Sequence, residues 1–243
     1  MKYSFLLIIT AFCLSCQPEN ESASDIINKS ISYHGGPAYD TAQIKFEFRD
    51  KYYFLQHNNG LYTYKRLFSD SLGNKIVDAL NNKGFQRQIN EADTLLLAKD
   101  SAAFANSVNS VLYFALLPYG LDAPSVISER LADAEIKGNN YYTIKVTFQQ
   151  EGGGTDYEDE FVYWFDQEDY SMDYLAYSYH TEGGGIRFRE AVNPRKVNGI
   201  IFQDYNNYKA EKDTRLETLA EKFSKGELEL LSEIDLEFTE TQK

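Results

Sequence analysis

The chain has 243 residues, with 24 lysines and arginines against 37 aspartates and glutamates, for a formal charge of −13. So acidic a surface repels nucleic acid and anionic lipid headgroups, which excludes nucleic acid as a partner through a broad basic face. Hydrophobic residues make up 43% of the chain, including 19 Tyr and 16 Phe, enough apolar mass for a core that needs no covalent staples.

The N-terminus places Lys2 before an apolar run, Phe5 to Leu14, that ends at Ser15-Cys16. This is the pattern of a secretory signal. The run is about 10 residues long and a bilayer-spanning helix needs roughly 20, so the segment directs export and does not anchor. Cys13-Leu14-Ser15-Cys16 resembles the cleavage site of bacterial lipoprotein precursors, in which the cysteine after the cut is lipidated on sulfur. It departs from that pattern at Cys13, where leucine is usual, and the alternative is an ordinary cleaved signal with a chance cysteine. The resemblance implies a signal peptide over 1–15 and lipid attachment at Cys16; the polar composition of 16–23 reads as a tether, and the absence of a composition shift or linker after it reads as a single mainly-β domain over 24–243. Cys13 leaves with the leader, so the mature chain can form no disulfide. With Lys2 gone, 23 basic residues face 37 acidic ones, a charge of −14. Membrane contact then runs through acyl chains on Cys16, or through a local apolar or basic site. The segment Gln17-Pro18-Glu19-Asn20-Glu21 resembles the export signal of some Bacteroidota surface lipoproteins, which implies an outer-membrane location on the periplasmic or surface face.

Beyond the tether, Ser24 is a candidate cap for a short helix over Asp25–Tyr33, stopped by Gly35-Gly36-Pro37. From Ile44 the period changes to two: Ile44, Phe46 and Phe48 alternate with Lys45, Glu47 and Arg49, a half-buried strand. Tyr52–Gln56 and Leu61–Phe68 read as strands joined by His57-Asn58-Asn59-Gly60, a hairpin signal. Phe85–Ile89 and Thr94–Ala98 are shorter strand candidates. Phe104, Val108, Val111, Leu112 and Ala115 share one face of a helix that starts near Ser101 and ends before Pro118.

A meander follows, with strands near Tyr141–Phe148, Tyr157–Asp166, Ser171–Thr181, Ile186–Val192 and Gly199–Tyr208. Thr214–Lys225 reads as a polar helix with Leu216, Leu219 and Phe223 on one side, and Leu230–Phe238 as the last strand. Glu-Gly-Gly-Gly occurs twice, from Glu151 and from Glu182, each time between strands. Neither copy leads into a helix with a lysine, as a phosphate loop would, so both read as hairpin turns. Two strands separate them, which predicts one shared rim, with the turns roughly 10 Å apart.

These elements predict an α+β, mainly β fold: a single large curved antiparallel sheet with two or three helices covering one face. Lone strands do not alternate with helices, which argues against TIM-barrel and Rossmann enzymes.

The chemistry-bearing residues are sparse. There is no Gly-x-Ser-x-Gly, no His-Glu-x-x-His and no cysteine nucleophile in the mature chain. His34, His57 and His180 fall at a helix end, in a turn and near a strand tip, so neither a metal nor a cofactor is expected. Asp156, Glu158, Asp159 and Glu160 lack calcium-loop spacing and read as a solvated acidic turn. Arg187 and Arg189 share one face of a strand, suited either to an anionic ligand or to neighbouring acids such as Asp173 or Glu190. Phe161-Val162-Tyr163-Trp164-Phe165 is aromatic on both faces, and Tyr174, Tyr177 and Tyr179 follow. This aromatic excess suits either an apolar cavity or an amphipathic docking surface. The candidate ligand-binding residues are Tyr163, Trp164, Tyr177, Tyr179, Arg187 and Arg189.

Tyr33–Gly36, Phe46–Tyr53, Asn109–Val126, Asp173–Tyr179 and Gly183–Arg195 resemble a family of uncharacterised envelope lipoproteins from Bacteroidota. That resemblance covers nearly the whole mature chain and implies no activity or site. The order of elements also resembles the LolA/LppX-like lipoprotein carriers, whose half-barrel holds acyl chains beneath helices. This implies a non-enzymatic protein whose partner is a lipid or other apolar small molecule. A module docking another envelope protein through a Tyr-rich face is the alternative, and an enzyme joining His34 or His180 to the arginines and acids is the third reading.

Overall fold

The computed structural model describes residues 21–151, 158–180 and 183–238. Cys16 and the leader lie outside them, as do Asp156 and parts of both Glu-Gly-Gly-Gly connections.

Helix α1 spans Ala23–His34. Its cap is Ser22, not the expected Ser24, because only this choice puts an acid three residues on. The Asp25 backbone N–H donates to Ser22 Oγ at 3.2 Å, and the Asp25 carboxylate accepts from the Ser22 N–H at 3.3 Å. A short 3-10 turn, Gly36–Thr41, leads into the first sheet.

That sheet contains β1 (Gln43–Phe48), β2 (Lys51–Asn58), β3 (Leu61–Ser69), β4 (Lys75–Asn81), β5 (Gly84–Ile89) and β6 (Ala92–Asp93). The turn between β2 and β3 has positive φ at Asn59 and Gly60, the backbone that a tight two-residue hairpin requires. β4 has no counterpart among the predicted strands, and the strand expected at Thr94–Ala98 is absent. The long helix α2, Ala98–Leu116, carries the chain across to the second sheet.

The second sheet is built from β7 (Val126–Arg130), β8 (Ala134–Ile136), β9 (Asn139–Phe148), β10 (Glu160–Asp166), β11 (Met172–Tyr179), β12 (Gly185–Val197), β13 (Ile200–Ala210) and β14 (Glu229–Ile234). Its order is β14-β13-β12-β11-β10-β9-β7, with β8 also paired to β9, and every pair is antiparallel. Strand ends Phe148 and Glu160, and Tyr179 and Gly185, therefore lie at one rim, as the meander predicts. The last described strand, β15 (Glu237–Phe238), pairs with β1 at the edge of the first sheet, ordered β15-β1-β2-β3-β4-β5-β6.

The expected single ladder is thus divided. Between β14 and β15 only Asp235 and Leu236 intervene, and they carry one extended segment from the second sheet to the first. Asp204 and Arg195 hold this crossing: Leu236 N–H donates to Asp204 Oδ1 at 2.9 Å, and Arg195 donates to the Leu236 carbonyl.

Three apolar clusters follow from the strand alternation. In β10 the odd positions Phe161, Tyr163 and Phe165 pack with Ile144, Leu175 and Tyr205 and with Ile26 and Ile27 of α1. Val108, Leu112, Ala115 and Leu116 of α2 cover Ile44, Phe46, Tyr53 and Leu55 of the first sheet. The even positions Val162 and Trp164 point the other way, into a cluster with Tyr174, Phe188 and the residues Leu216, Leu219 and Phe223. Those last three come from a 3-10 turn (Leu216–Thr218) and helix α3 (Leu219–Ser224), where one longer helix was expected. The helices therefore do not share one face of the sheet. Helix α3 seals the face opposite to the one α1 covers, and this is why β10 is aromatic on both sides.

Candidate ligand cavity

Helix α2 has a second face. Val108, Leu112 and Ala115 pack on the first sheet, whereas Asn109, Ser110, Tyr113 and Phe114 turn toward the second sheet, and only Tyr113 and Phe114 touch it. The gap is a cavity of about 1010 Å³, walled by these residues, by Val126, Phe148 and Phe161, and by Tyr177, Tyr179, Arg187 and Arg189. A side space of about 190 Å³ adjoins it, lined by Phe48, Val111, Ala115, Tyr205 and Leu236. Phe114 and Arg189 border both spaces.

The aromatic wall is one packed array. Phe161 stacks on Tyr163 and Tyr177 with centroids at 6.0 and 5.6 Å, and Phe114 meets Tyr177 at 5.2 Å. Beneath it the Tyr113 and Tyr163 hydroxyls lie 2.9 Å apart, and burial pushes both phenols well above their ordinary pKa.

Across β11 and β12 the arginines and tyrosines interleave. Arg189 Nη2 donates to Tyr177 Oη at 2.9 Å, and Arg187 Nη2 donates to Tyr179 Oη at 2.7 Å. Arg187 Nη1 also donates to the Ile186 carbonyl at 2.9 Å. The Arg189 guanidinium lies 4.1 Å from the Phe114 ring centroid, and the residue is only 8% exposed. Gly185 makes room for this arrangement: a Cβ there would sit 2.8 Å from Tyr179 Oη and 3.1 Å from Arg187 Nη1.

Neither acid named as a partner for these arginines reaches them. Glu190 follows Arg189 and so faces the other side of β12, where it accepts from Lys137 at 2.7 Å and from Asn206 and Tyr208 at 3.1 Å. Asp173 is the extra residue where the β10–β11 register shifts, and it accepts from Tyr141 Oη at 3.1 Å.

Of the six candidate ligand-binding residues, Tyr177, Tyr179, Arg187 and Arg189 line the cavity. Tyr163 lies under its floor. Trp164 is corrected: it is fully buried beside Phe188 on the α3 face and cannot touch the cavity. The sequence pattern missed the contribution of α2, whose Asn109 and Ser110 look like surface residues of an amphipathic helix.

The histidines are scattered. His34 Nε2 accepts from the Met172 N–H at 3.1 Å, His57 contacts the Tyr39 carbonyl and Tyr64 Oη at 2.8 and 3.0 Å, and exposed His180 contacts Asp159 at 3.3 Å. Among the described residues no group of three metal-ligating side chains occurs, and no helix is long and apolar enough to cross a membrane.

The sequence matches DUF6503, a family of unknown function, over residues 2–236. No curated protein shows a significant match. Among solved structures, the chain is similar to a LolA superfamily protein from Nitrosomonas europaea, with a TM-score of 0.47 and 11% identity over 91% of this chain and 96% of that one. It is also similar to a domain described as outer-membrane lipoprotein-sorting from Vibrio parahaemolyticus, with a TM-score of 0.43 and 8% identity over 84% and 98% of the two chains. Lipoprotein LppX of Mycobacterium tuberculosis gives a TM-score of 0.31 and 8% identity over 67% and 89%.

Proposed function

Because the chain belongs to DUF6503, a family of unknown function, its role has to be read from the molecule, and we propose that it is a non-enzymatic envelope lipoprotein that binds a lipid or other apolar ligand between α2 and the second sheet. The observation that carries this reading is the cavity of about 1010 Å³ walled by Phe114, Phe148, Phe161 and Tyr177. Its size and aromatic lining suit a ligand that hides most of its surface from water. The tyrosines considered for docking another protein favour the same reading, since Tyr174 lies under α3 while Tyr177 and Tyr179 turn into the cavity. Acylation of Cys16 would hold the domain at a membrane, placing it where apolar ligands are found.

The test is a soluble form beginning at residue 17, purified without detergent. Native mass spectrometry is expected to show protein carrying a lipid-sized adduct, and the stripped protein is expected to bind a fluorescent fatty acid. An empty protein that ignores the fatty acid would overturn the reading. Anchoring is checked separately: labelled palmitate should enter the wild-type protein in cells and not a Cys16→Ser variant, and equal labelling of both rules out Cys16 as the attachment site.

A further inference from the structure

The cavity is not electrically neutral. Among the described residues its lining includes Arg49, Arg187 and Arg189 against one carboxylate, Asp159, in a chain whose formal charge is −13. Three cationic side chains converge on one cavity in a chain whose acids outnumber its bases 37 to 24.

Arg189 is the sharpest feature. It is more than nine-tenths buried, its Nε has no hydrogen-bond partner, and among the described residues no carboxylate lies within ion-pair distance of it. A buried cation without a counter-charge is costly, and the rings of Phe114, Tyr177 and Tyr205, at 4.1, 5.1 and 5.8 Å, offset that cost only in part. The opposite strand adds a second unsatisfied group. Asn207 pairs with Arg189 in register, and its buried Oδ1 has no partner while Nδ2 meets Ser232 Oγ at 3.1 Å. Turning that amide over would let its oxygen accept from the Ser232 hydroxyl and free two N–H donors beside Arg189.

Position along the strand supplies a direction. β12 begins at the rim with Gly185, so Arg187 lies nearer the opening and Arg189 about 7 Å deeper along the strand. Both guanidinium groups are held by neutral acceptors, Tyr179 and Tyr177, which orient them without cancelling their charge.

We propose that the cavity takes an anionic amphiphile, with its carboxylate or phosphate head held by Arg189 and by Arg187 nearer the opening, and its apolar part along Phe114, Phe161 and Val126. This rests on the reading of the cavity as a ligand site and names the ligand class. It also reconciles an acidic protein with an acidic ligand: the outer surface repels anions in general, and only a molecule whose tail is buried beside the arginines gains from them.

The test uses mature protein stripped of bound lipid, titrated with cis-parinaric acid and with its methyl ester, which share one chain and differ in charge. The acid is expected to bind about tenfold or more tighter than the ester, the value of one buried charged hydrogen bond. Arg189→Gln should bring the two affinities together by weakening the acid alone, and Arg187→Gln should narrow the gap in the same direction. Dodecyl phosphate should displace the acid, and inorganic phosphate at the same concentration should not. Equal affinity of acid and ester in the wild-type protein overturns the headgroup site and leaves the cavity reading standing. Binding of neither overturns both. Displacement by inorganic phosphate as effective as by dodecyl phosphate assigns the arginines to a free oxyanion and overturns the amphiphile. Should Arg189→Gln fail to fold, the wild-type ratio and the Arg187→Gln ratio decide the matter.

Discussion

Tyr113 of α2 and Tyr163 of β10 meet hydroxyl to hydroxyl at 2.9 Å, and this contact ties the covering helix to the sheet beneath the cavity. Both groups are out of water, so each depends on the other. Changing either tyrosine to phenylalanine should cost about 1 kcal/mol, because the remaining hydroxyl is stranded, whereas the double variant should cost clearly less than the sum. Urea unfolding of the four proteins measures this. Strictly additive losses would mean that the two hydroxyls do not support one another.

The first sheet contains a buried charge cluster of a different kind. Asp78 on β4 is fully buried and accepts from Arg66 at 2.6 Å and from Arg87 at 2.6 Å, while Arg87 also lies 3.5 Å from the Phe104 ring centroid on α2. One carboxylate thus bridges two guanidinium groups and links β3, β4 and β5 under the helix. Asp78→Asn should destabilise the protein by about 3–5 kcal/mol, since two buried cations lose their counter-charge. Replacing Asp133, an exposed acid that accepts from Arg130 and from Gln167, each at 2.8 Å, should change stability by less than about 1 kcal/mol. Comparable losses at the two sites would refute the distinction.

His34 makes stability depend on pH. Burial at the end of α1 lowers its pKa from the ordinary 6.5 to about 4, so the neutral ring that accepts from the Met172 N–H is the native form. Below pH 6.5 the unfolded chain takes up a proton that the folded protein refuses. The contribution is therefore full above pH 6.5 and drains away as pH falls toward 4, by about 3 kcal/mol in all. His57 is shifted in the same direction by its burial, and Asp173 is shifted upward by its own, but both are present in wild type and His34→Gln alike. The wild-type protein should lose more stability than His34→Gln between pH 7.5 and pH 4.5 in urea titrations. Parallel profiles would show that His34 does not remain neutral when folded.

How much of this was legible depended on whether a local pattern was enough. Ile44, Phe46 and Phe48 announce β1, Asn59-Gly60 announces its hairpin, and the apolar face of α2 is plain in Val108, Leu112 and Ala115. β4 was hidden because Asp78 interrupts its apolar run, and only two arginines on neighbouring strands make a buried carboxylate tolerable there. Leu216, Leu219 and Phe223 show that the C-terminal helix is amphipathic, but not which side of the sheet it covers, since both faces of β10 and β11 are apolar. The same ambiguity misplaced Trp164. Alternation puts it opposite Tyr163, and no local signal says which side is hollow. Arg187 and Arg189 were recognisable as a pair on one face, whereas their tyrosine partners depend on the β11–β12 register.

The cavity itself makes the last prediction. Ser110 borders both the main cavity and the side space, lies on the solvated part of α2 and makes only a long contact of 3.4 Å to the Ser107 carbonyl. Ser110→Trp keeps the helix, costs it no buried partner, and places an indole where the ligand would lie. Its effect on stability should stay within about 0.5 kcal/mol, as for other substitutions away from the core. Fatty-acid binding, in contrast, should fall about tenfold or more, since the added ring removes apolar volume that the ligand would otherwise fill. Fluorescence titration beside a thermal melt separates the two. A melt unchanged with binding lost places the ligand between α2 and the second sheet. Unchanged binding with an unchanged melt would place it elsewhere, and would remove the cavity from the account of what this protein does.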